Sequence, residues 1–243
     1  MVKLIVLTSV YNSEKYIKEF FKSVALQTYD DFEIAVELVK PSSKEIKFFQ
    51  KAQKKLHCFN LNYYEEKISL PKAWNEAIKR TNSQLICIWN VDDIRTPESL
   101  SKMVDVFESN NEVDFVYGNY TVVNKFRSKK GSFLDESGRE SELKTAMILG
   151  PFFMFKRSIL KKIGYFDEQL LSGADFDFAM RLGRNCQGKH VDFNLGYYLN
   201  DRSGLSTKEN SLQEIERTVV EIRYGLDPIN KSLIEKAKRD YKI

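Results

Sequence analysis

Two adjacent carboxylates, Asp92 and Asp93, belong to the stretch Asn90-Val91-Asp92-Asp93, which directly follows a short apolar segment at residues 84–89. Adjacent carboxylates at the end of a strand can hold a hard divalent cation, which in turn neutralises a diphosphate. Aspartate is also common where strands stop, and Asp93 could cap the helix that begins beyond Thr96-Pro97. The pair therefore leaves two interpretations open, a metal site and a simple turn.

A second acidic pair, Asp175 and Asp177, lies in a segment whose pattern predicts a helix over residues 174–182. Helical positions two apart diverge by roughly 200°, so these two carboxylates cannot serve one small site equally. One of them can face a cleft while the other caps the helix or pairs with Arg181 at i+4. Acidic residues that complement the helix dipole are the alternative interpretation.

Short apolar segments alternate with helical patterns along the first half of the chain. Strands are predicted over 3–10, 32–39, 60–64 and 84–89, and helices are predicted to begin at Ser13, Ser43 and Ser69 and after Pro97. This alternation indicates right-handed βαβ units, an α/β class and a mainly parallel sheet. Ligands bind such sheets at the carboxyl ends of the strands, which is where Asp92 and Asp93 are expected to lie.

The second half of the chain predicts further strands, a polar loop and a helical end. Strands are predicted over 113–123, 152–155 and 190–199, helices over 158–163 and 174–182, and a long loop or flap over 124–142. Apolar residues beyond Ser206 then recur at 3,4,3,4 spacing: Leu212, Ile215, Val219, Ile222 and Leu226. A helix packed on the parent domain and a dimer seam both fit this spacing, so a monomer and a homodimer both stay open.

The composition excludes several classes of protein. The 243 residues are 42% hydrophobic and 30% charged, an ordinary globular balance. Lysine plus arginine (38) exceeds aspartate plus glutamate (34) by only 4, too few for a nucleic-acid-binding protein. The three cysteines form no CxxC pair, which favours a reducing compartment over a disulfide framework. The apolar start predicts a first strand rather than a leader peptide, so a cytoplasmic protein is expected, with peripheral membrane contact left open.

Five segments, taken in order, resemble the family 2 glycosyltransferases, which use nucleotide sugars and have the GT-A fold. The resemblance covers about residues 3–206 and rests on these stretches: Thr8-Ser9-Val10-Tyr11-Asn12, Ala73-Trp74-Asn75-Glu76-Ala77-Ile78, Asn90-Val91-Asp92-Asp93, Gly150-Pro151 through Tyr165-Phe166-Asp167-Glu168, and Ala174-Asp175-Phe176-Asp177 through Arg181. The third stands for the family's D-x-D motif and the last for the acidic motif that contains the base.

The resemblance implies an inverting transfer of sugar from a nucleotide-diphosphate donor of UDP or GDP type to a hydroxyl of a glycan or glycolipid acceptor. It implies that Asp175 is the general base and that Asp93, with Asp92 and Asp201, holds Mn²⁺ or Mg²⁺. Donor contacts are implied for Thr8, Val10, Tyr11, Asn12, Glu37, Trp74, Asn90 and Asp92. Surface-glycan or polysaccharide biosynthesis is the process that it suggests.

The resemblance also implies a domain division. Residues 1–206 would form the GT-A domain, with a nucleotide-binding half at about 1–112 and an acceptor half at 113–206. Residues 207–243 would form helices packed on that domain.

The sequence departs from the family pattern at three positions that bear on the site. Asn90 replaces the first aspartate of D-x-D, Ala174 replaces the glutamate before the base, and the second strand ends at Glu37 and Lys40 without an aspartate. A degenerate protein that binds a nucleotide or glycan without chemistry is therefore a second hypothesis. A nucleotidyltransferase fits poorly, because residues 8–12 contain no glycine for a phosphate loop.

Overall fold

A curled mixed sheet runs through the molecule and is covered by helices. The computed structural model describes residues 3–56, 58–200 and 212–243. Its strands are β1 (Leu4–Val10), β2 (Phe32–Val39), β3 (Phe59–Tyr64), β4 (Leu85–Ile88), β5 (Ile94–Arg95), β6 (Phe115–Val123), β7 (Ser132–Leu134), β8 (Met154–Lys156) and β9 (Gly188–Leu199). They are arranged in the order β3-β2-β1-β4-β8-β6-β9-β5, with β7 paired to β6.

The helices connect these strands in the alternation that the sequence predicts. They are α1 (Ile17–Ala25), α2 (Ser43–Gln53), α3 (Leu70–Arg80), α4 (Ser99–Ser109), α5 (Leu160–Ile163), α6 (Ala174–Asn185), α7 (Leu212–Arg223) and α8 (Ile234–Tyr241). Short 3₁₀ turns lie at Glu140–Lys144, Arg157–Ile159 and Lys231–Leu233. Because every βαβ crossover returns the chain to the same end of the sheet, β1 to β4 run parallel.

The central strands β1 and β4 are largely apolar because helices cover both of their faces. Every residue of β4 is buried, as is all of β1 except Ser9. Leu4 and Val6 contact one helical layer, whereas Ile5 and Leu7 contact the other. Continuous apolar strands of this kind are expected for a sheet sandwiched between helices.

The second half of the sheet is mixed rather than parallel. β8 lies antiparallel between β4 and β6, and β5 pairs antiparallel with β9. The sequence does not predict β5, because a two-residue strand has no periodicity to detect. The polar segment 124–142, predicted as a loop, contains β7, which pairs with β6.

Helix capping corrects two of the predicted helix starts. Ser42, not Ser43, caps α2, and it forms a capping box with Glu45. Glu45 also accepts a hydrogen bond from the backbone N–H of Ser13 at 2.6 Å. Ser13 does not cap α1, since its hydroxyl bonds the backbone of Tyr11 and the helix begins four residues later.

The last two helices share the core of the sheet. Ile215 and Val219 of α7 and Ala237 of α8 belong to the same buried cluster as Phe178 of α6. The apolar face of α7 is therefore covered by the chain's own core. None of the helices in the described ranges is long and apolar enough to cross a membrane.

Candidate active site

Asp92, Asp93 and Asp175 belong to elements that the topology brings to one edge of the sheet. β4 and β6 are both antiparallel to β8, so they point the same way, and β9 is parallel to β6. Asp92 and Asp93 follow the carboxyl end of β4. Helix α6 leads through a two-residue connection into the amino end of β9, so the first turn of α6, which carries Asp175, lies back at the carboxyl edge.

Asp93 is the buried member of the first pair. Its side chain is 2% exposed, and its carboxylate accepts hydrogen bonds from the backbone N–H of Leu199 at 3.3 Å and from Asn90 Nδ2 at 3.4 Å. Burial, reinforced by the negative charge of Asp92, raises the pKa of Asp93 well above its ordinary value. The Asn90 amide therefore donates a hydrogen bond that helps to hold the Asp93 carboxylate in place. A carboxylate at position 90, as in the family motif, could not donate this bond.

Asp92 is the more accessible member of the pair, since its side chain is partly exposed. Two adjacent carboxylates, one of them buried, form a hard-oxygen donor set whose mutual repulsion a divalent cation relieves. This donor set fits Mn²⁺ or Mg²⁺. Within the described ranges no three His, Cys, Asp or Glu side chains cluster around a metal position, and Asp201 lies outside those ranges.

A buried arginine, Arg95, supports the acidic turn and was not predicted from the sequence. Its guanidinium is stacked between Trp89 and Phe152 and donates to Ser99 Oγ at 2.8 Å and to the Ile88 carbonyl at 2.9 Å. Its positive charge opposes the rise of the Asp93 pKa. Only the fold brings these groups together, so no local signal in the sequence marks this arginine.

The turn after β1 contributes one exposed aromatic ring to this edge. Tyr11 is 41% exposed, and Lys67 Nζ lies 4.9 Å from the centre of its ring. Asn12 is exposed and has φ of +52°, a left-handed conformation that asparagine tolerates better than most residues. Thr8 and Val10 are buried, and the Thr8 hydroxyl donates to the Trp89 carbonyl at 3.0 Å. This hydrogen bond ties β1 to the segment between β4 and the acidic pair.

Two other residues predicted to contact the donor are engaged inside the protein. Glu37 is fully buried, pairs with Arg80, and accepts hydrogen bonds from Tyr64 Oη at 2.7 Å and Asn62 Nδ2 at 3.1 Å. Trp74 is 4% exposed and packs against Phe166, with 5.0 Å between ring centres. Both residues lie beneath the surface.

Asp175 and Asp177 point in different directions, as the helical spacing predicts. Asp177 is buried and is held by Arg181 at 2.7 Å and by Tyr224 Oη at 3.0 Å. Asp175 is half-buried and accepts a hydrogen bond from the backbone N–H of Phe176 at 2.8 Å. Burial raises the pKa of Asp175 to about 6, with a smaller contribution from the charge of Glu216.

Two cavities lie at the opposite edge of the sheet. One of about 520 Å³ is lined by Asp31 and Lys55, and one of about 220 Å³ is lined by Glu33 and Asn60. Both are formed at the amino ends of β2 and β3, and neither is lined by Asp92, Asp93 or Asp175.

Solved structures share this fold along nearly the whole chain. The structure of TarS from Staphylococcus aureus in complex with UDP superposes with a TM-score of 0.71 at 23% identity, covering 99% of this chain and 72% of that one. A mannosyltransferase from Pyrobaculum calidifontis in complex with GDP-Man and Mn²⁺ superposes with a TM-score of 0.64 at 14% identity, covering 97% of this chain and 69% of that one. The class of protein that these likenesses define is the GT-A fold.

The sequence comparison is more specific. Residues 5–164 match the family described as Glycosyl transferase family 2, and the chain belongs to that family. The match includes the acidic pair after β4 and ends before Asp175.

Two curated relatives match over longer segments. An uncharacterized glycosyltransferase of Methanocaldococcus jannaschii is 30% identical over 188 residues, which are 72% of this chain and 63% of that protein. The poly(ribitol-phosphate) beta-N-acetylglucosaminyltransferase TarS of S. aureus is 28% identical over 205 residues, 82% of this chain and 35% of that protein. The chain thus spans less than two thirds of the length of each of these relatives.

Proposed function

We propose that the protein is an inverting glycosyltransferase that moves a sugar from a nucleotide-diphosphate donor to a hydroxyl group of a glycan acceptor. The observation that carries this proposal is the sheet topology: the acidic pair follows the carboxyl end of β4, and α6, whose first turn carries Asp175, leads back into the parallel strand β9. This topology supports a common site for Asp92, Asp93 and Asp175. Family membership and the nucleotide complexes of the similar structures support the proposal.

Donor contacts are assigned to the exposed members of the predicted set. Tyr11 offers a ring and Asn12 an amide, and Asp92 offers a partly exposed carboxylate. The other members of the set would support that surface without contacting the donor directly. They are Thr8, Val10, Glu37 and Trp74, which are buried, and Asn90, which is partly buried. UDP and GDP sugars are the donors to test, because the similar structures carry UDP, UDP-GlcNAc and GDP-Man.

The acidic pair would hold the divalent cation. Asp92 supplies the accessible oxygen, and Asp93, fixed by Leu199 and Asn90, supplies the second carboxylate from below. When bound, Mn²⁺ or Mg²⁺ neutralises the charge that develops on the departing diphosphate. Asp201 is a further proposed ligand outside the described residues.

Asp175 would act as the general base. With a pKa of about 6, the carboxylate is mostly ionised at pH 7 and is a stronger base than a solvated aspartate. It would take the proton of the acceptor hydroxyl while that oxygen attacks the anomeric carbon from the face opposite the diphosphate. A single displacement of this kind inverts the anomeric configuration and needs no covalent intermediate.

A donor panel tests the proposal. UDP and GDP sugars would be incubated with the protein and Mn²⁺, sugar release and transfer would be measured, and Asp175→Asn would be compared with the wild type. We expect turnover with at least one donor, and a loss of about 100-fold or more in the variant with UDP or GDP binding retained. Equal turnover by the variant would contradict the role of Asp175.

A degenerate nucleotide-binding protein is the second candidate, because Asn90 replaces a carboxylate and Glu37 is occupied by Arg80. Calorimetric binding of UDP or GDP with no turnover across the whole panel would favour it. A role in the assembly of a surface polysaccharide is proposed from the names of the relatives, which include a poly-beta-1,6-N-acetyl-D-glucosamine synthase of Staphylococcus epidermidis.

A further inference from the structure

The turn that precedes Asp175 is held by a carboxylate from a distant part of the chain. Glu216 of α7 is fully buried and accepts three consecutive backbone N–H groups, from Leu171 at 2.9 Å, Ser172 at 2.6 Å and Gly173 at 2.7 Å. Charged acceptors make stronger hydrogen bonds than neutral ones, and three together fix both the position and the direction of a turn.

The fourth partner of this carboxylate comes from the last helix. Tyr241 of α8 donates its hydroxyl to Glu216 Oε1 at 2.6 Å. Burial and the adjacent carboxylate raise the pKa of Tyr241, so the phenol stays protonated as a donor. Both oxygens of Glu216 are therefore occupied, and the α7–α8 pair is coupled to the start of α6.

The close approach of the turn to α7 also explains a glycine. A Cβ atom on Gly173 would lie 2.9 Å from the Cβ of Glu216, closer than side chains tolerate. The φ of Gly173 is −105°, so backbone conformation does not require glycine here. The requirement is for space between the turn and the helix that carries the carboxylate.

We propose that Glu216 is the positioning residue for the general base, acting through the turn at 171–173 to fix where the carboxylate of Asp175 meets the acceptor. This inference deepens the proposed function and rests on it. The last two helices would then contribute to catalysis by fixing the position and orientation of the first turn of α6.

The electrostatic setting of Asp175 agrees with this arrangement. The negative charge of Glu216 raises the pKa of Asp175 further, on top of the effect of burial. The other charged and titratable groups of the elements packed there are engaged elsewhere. These are Asp177 with Arg181 and Tyr224, Asp167 with Arg223, and Arg217 with Glu221. Loss of the Glu216 charge should therefore lower the pKa of the base.

The test variant is Glu216→Gln, and the same helix offers a matched control. Glu221 is also a buried carboxylate of α7 that accepts a backbone N–H, but its partner is Ile229, in the link to α8. Glu221→Gln thus removes an equivalent charge without touching the turn at 171–173. Two readouts are needed: amide hydrogen exchange of that turn, and the pH dependence of kcat.

We expect amide exchange at 171–173 to become about tenfold faster or more in Glu216→Gln and to stay unchanged in Glu221→Gln. We expect kcat of Glu216→Gln to fall about tenfold or more with the KM for donor within about twofold, because a displaced base slows chemistry without weakening donor binding. The acidic limb of its kcat profile should move to lower pH by ~0.3 unit or more. Unchanged exchange at 171–173, or an unmoved acidic limb, would overturn the proposal.

Two further variants keep the test decisive if Glu216→Gln does not fold. Tyr241→Phe removes one donor and leaves the three backbone bonds, so it should reproduce the faster exchange at smaller size. Gly173→Ala should lower kcat through steric displacement of the turn; wild-type kcat and exchange in both variants would refute the proposal. If the proposed function fails instead, no donor is turned over by the wild type, whereas the exchange difference between Glu216→Gln and Glu221→Gln persists.

Discussion

The backbone N–H of Leu199 donates to the buried carboxylate of Asp93 at 3.3 Å, and this bond ties the end of β9 to the turn after β4. The two residues are far apart in the chain, and each lies at the carboxyl edge of the sheet. The bond makes Asp93 a fixed part of the framework, whereas Asp92 beside it is partly exposed. The two carboxylates should therefore respond differently to substitution.

Thermal unfolding with and without Mn²⁺ distinguishes Asp92→Asn from Asp93→Asn. We expect Mn²⁺ to raise the Tm of the wild type by several degrees, since a ligand at 100 times its Kd stabilises by about 2.7 kcal/mol. Both variants should lose this shift. Without metal, Asp93→Asn should melt at or above the wild-type Tm at pH 7.5, because the amide replaces a buried carboxyl whose charged form is disfavoured by burial and by the charge of Asp92.

The control for this prediction is Asp105→Asn, which removes an exposed aspartate from α4. It should keep both the Tm and the Mn²⁺ shift of the wild type. A full Mn²⁺ shift in both Asp92→Asn and Asp93→Asn would show that the acidic pair is not the metal site.

The pH dependence of turnover should report Asp175. The base must be deprotonated, and its pKa is about 6, so kcat should fall as the pH drops through about 6. Asp175→Asn should lose this limb together with most of its activity. The measurement is kcat from pH 4.5 to 8.5 at saturating donor, and a wild-type limb near pH 4 would indicate a solvated carboxylate in place of this one.

The sequence predicts the parallel half of the sheet well for a physical reason. Strands such as β1 and β4 are buried on both faces, so their apolar segments stand out against the helices between them. The acidic pair is equally visible because the stretch that contains it follows one of these segments directly. Asp177 and Arg181 form the i+4 ion pair that the helical spacing predicts.

The groups that the sequence does not reveal are those whose partners are distant along the chain. Arg95 looks like a residue of a surface turn, yet it is 2% exposed and packs between two aromatic rings. Glu216 looks like a polar position of an amphipathic helix, although the three backbone N–H groups that it accepts lie more than 40 residues away. Long-range burial of single polar residues leaves no periodic signal, so only the folded structure identifies them.

Arg95→Met should be strongly destabilising. It removes a buried guanidinium with its hydrogen bonds to Ser99 and Ile88, and it leaves Asp93 without the nearby positive charge. Loss of buried hydrogen bonds together with the packing of the guanidinium against Trp89 and Phe152 should cost about 3 kcal/mol or more. Urea unfolding at pH 7.5 measures the free energy of unfolding, and Lys102→Met, which removes an exposed cation of α4, should change it by less than ~0.5 kcal/mol.

The double variant Asp93→Asn/Arg95→Met tests the reason for that loss. If the uncompensated carboxylate is part of the cost, removal of its charge should recover about 1 kcal/mol or more of the free energy of unfolding. Strict additivity of the two single variants would mean that Arg95 acts only through its packing and hydrogen bonds.

Glu37→Gln separates support of the sheet from contact with the nucleobase. The buried carboxylate already accepts bonds from Arg80, Tyr64 and Asn62, so its neutralisation should lower the free energy of unfolding by about 3 kcal/mol. Calorimetry should show the Kd for UDP or GDP changed by less than about threefold, because these partners leave the carboxylate no direct role in binding. Arg80→Met is the matched partner, and the double variant should cost less than the sum of the two single losses, as expected for a pair in contact. A large rise in Kd with the stability unchanged would instead mean that the carboxylate leaves Arg80 to read the base.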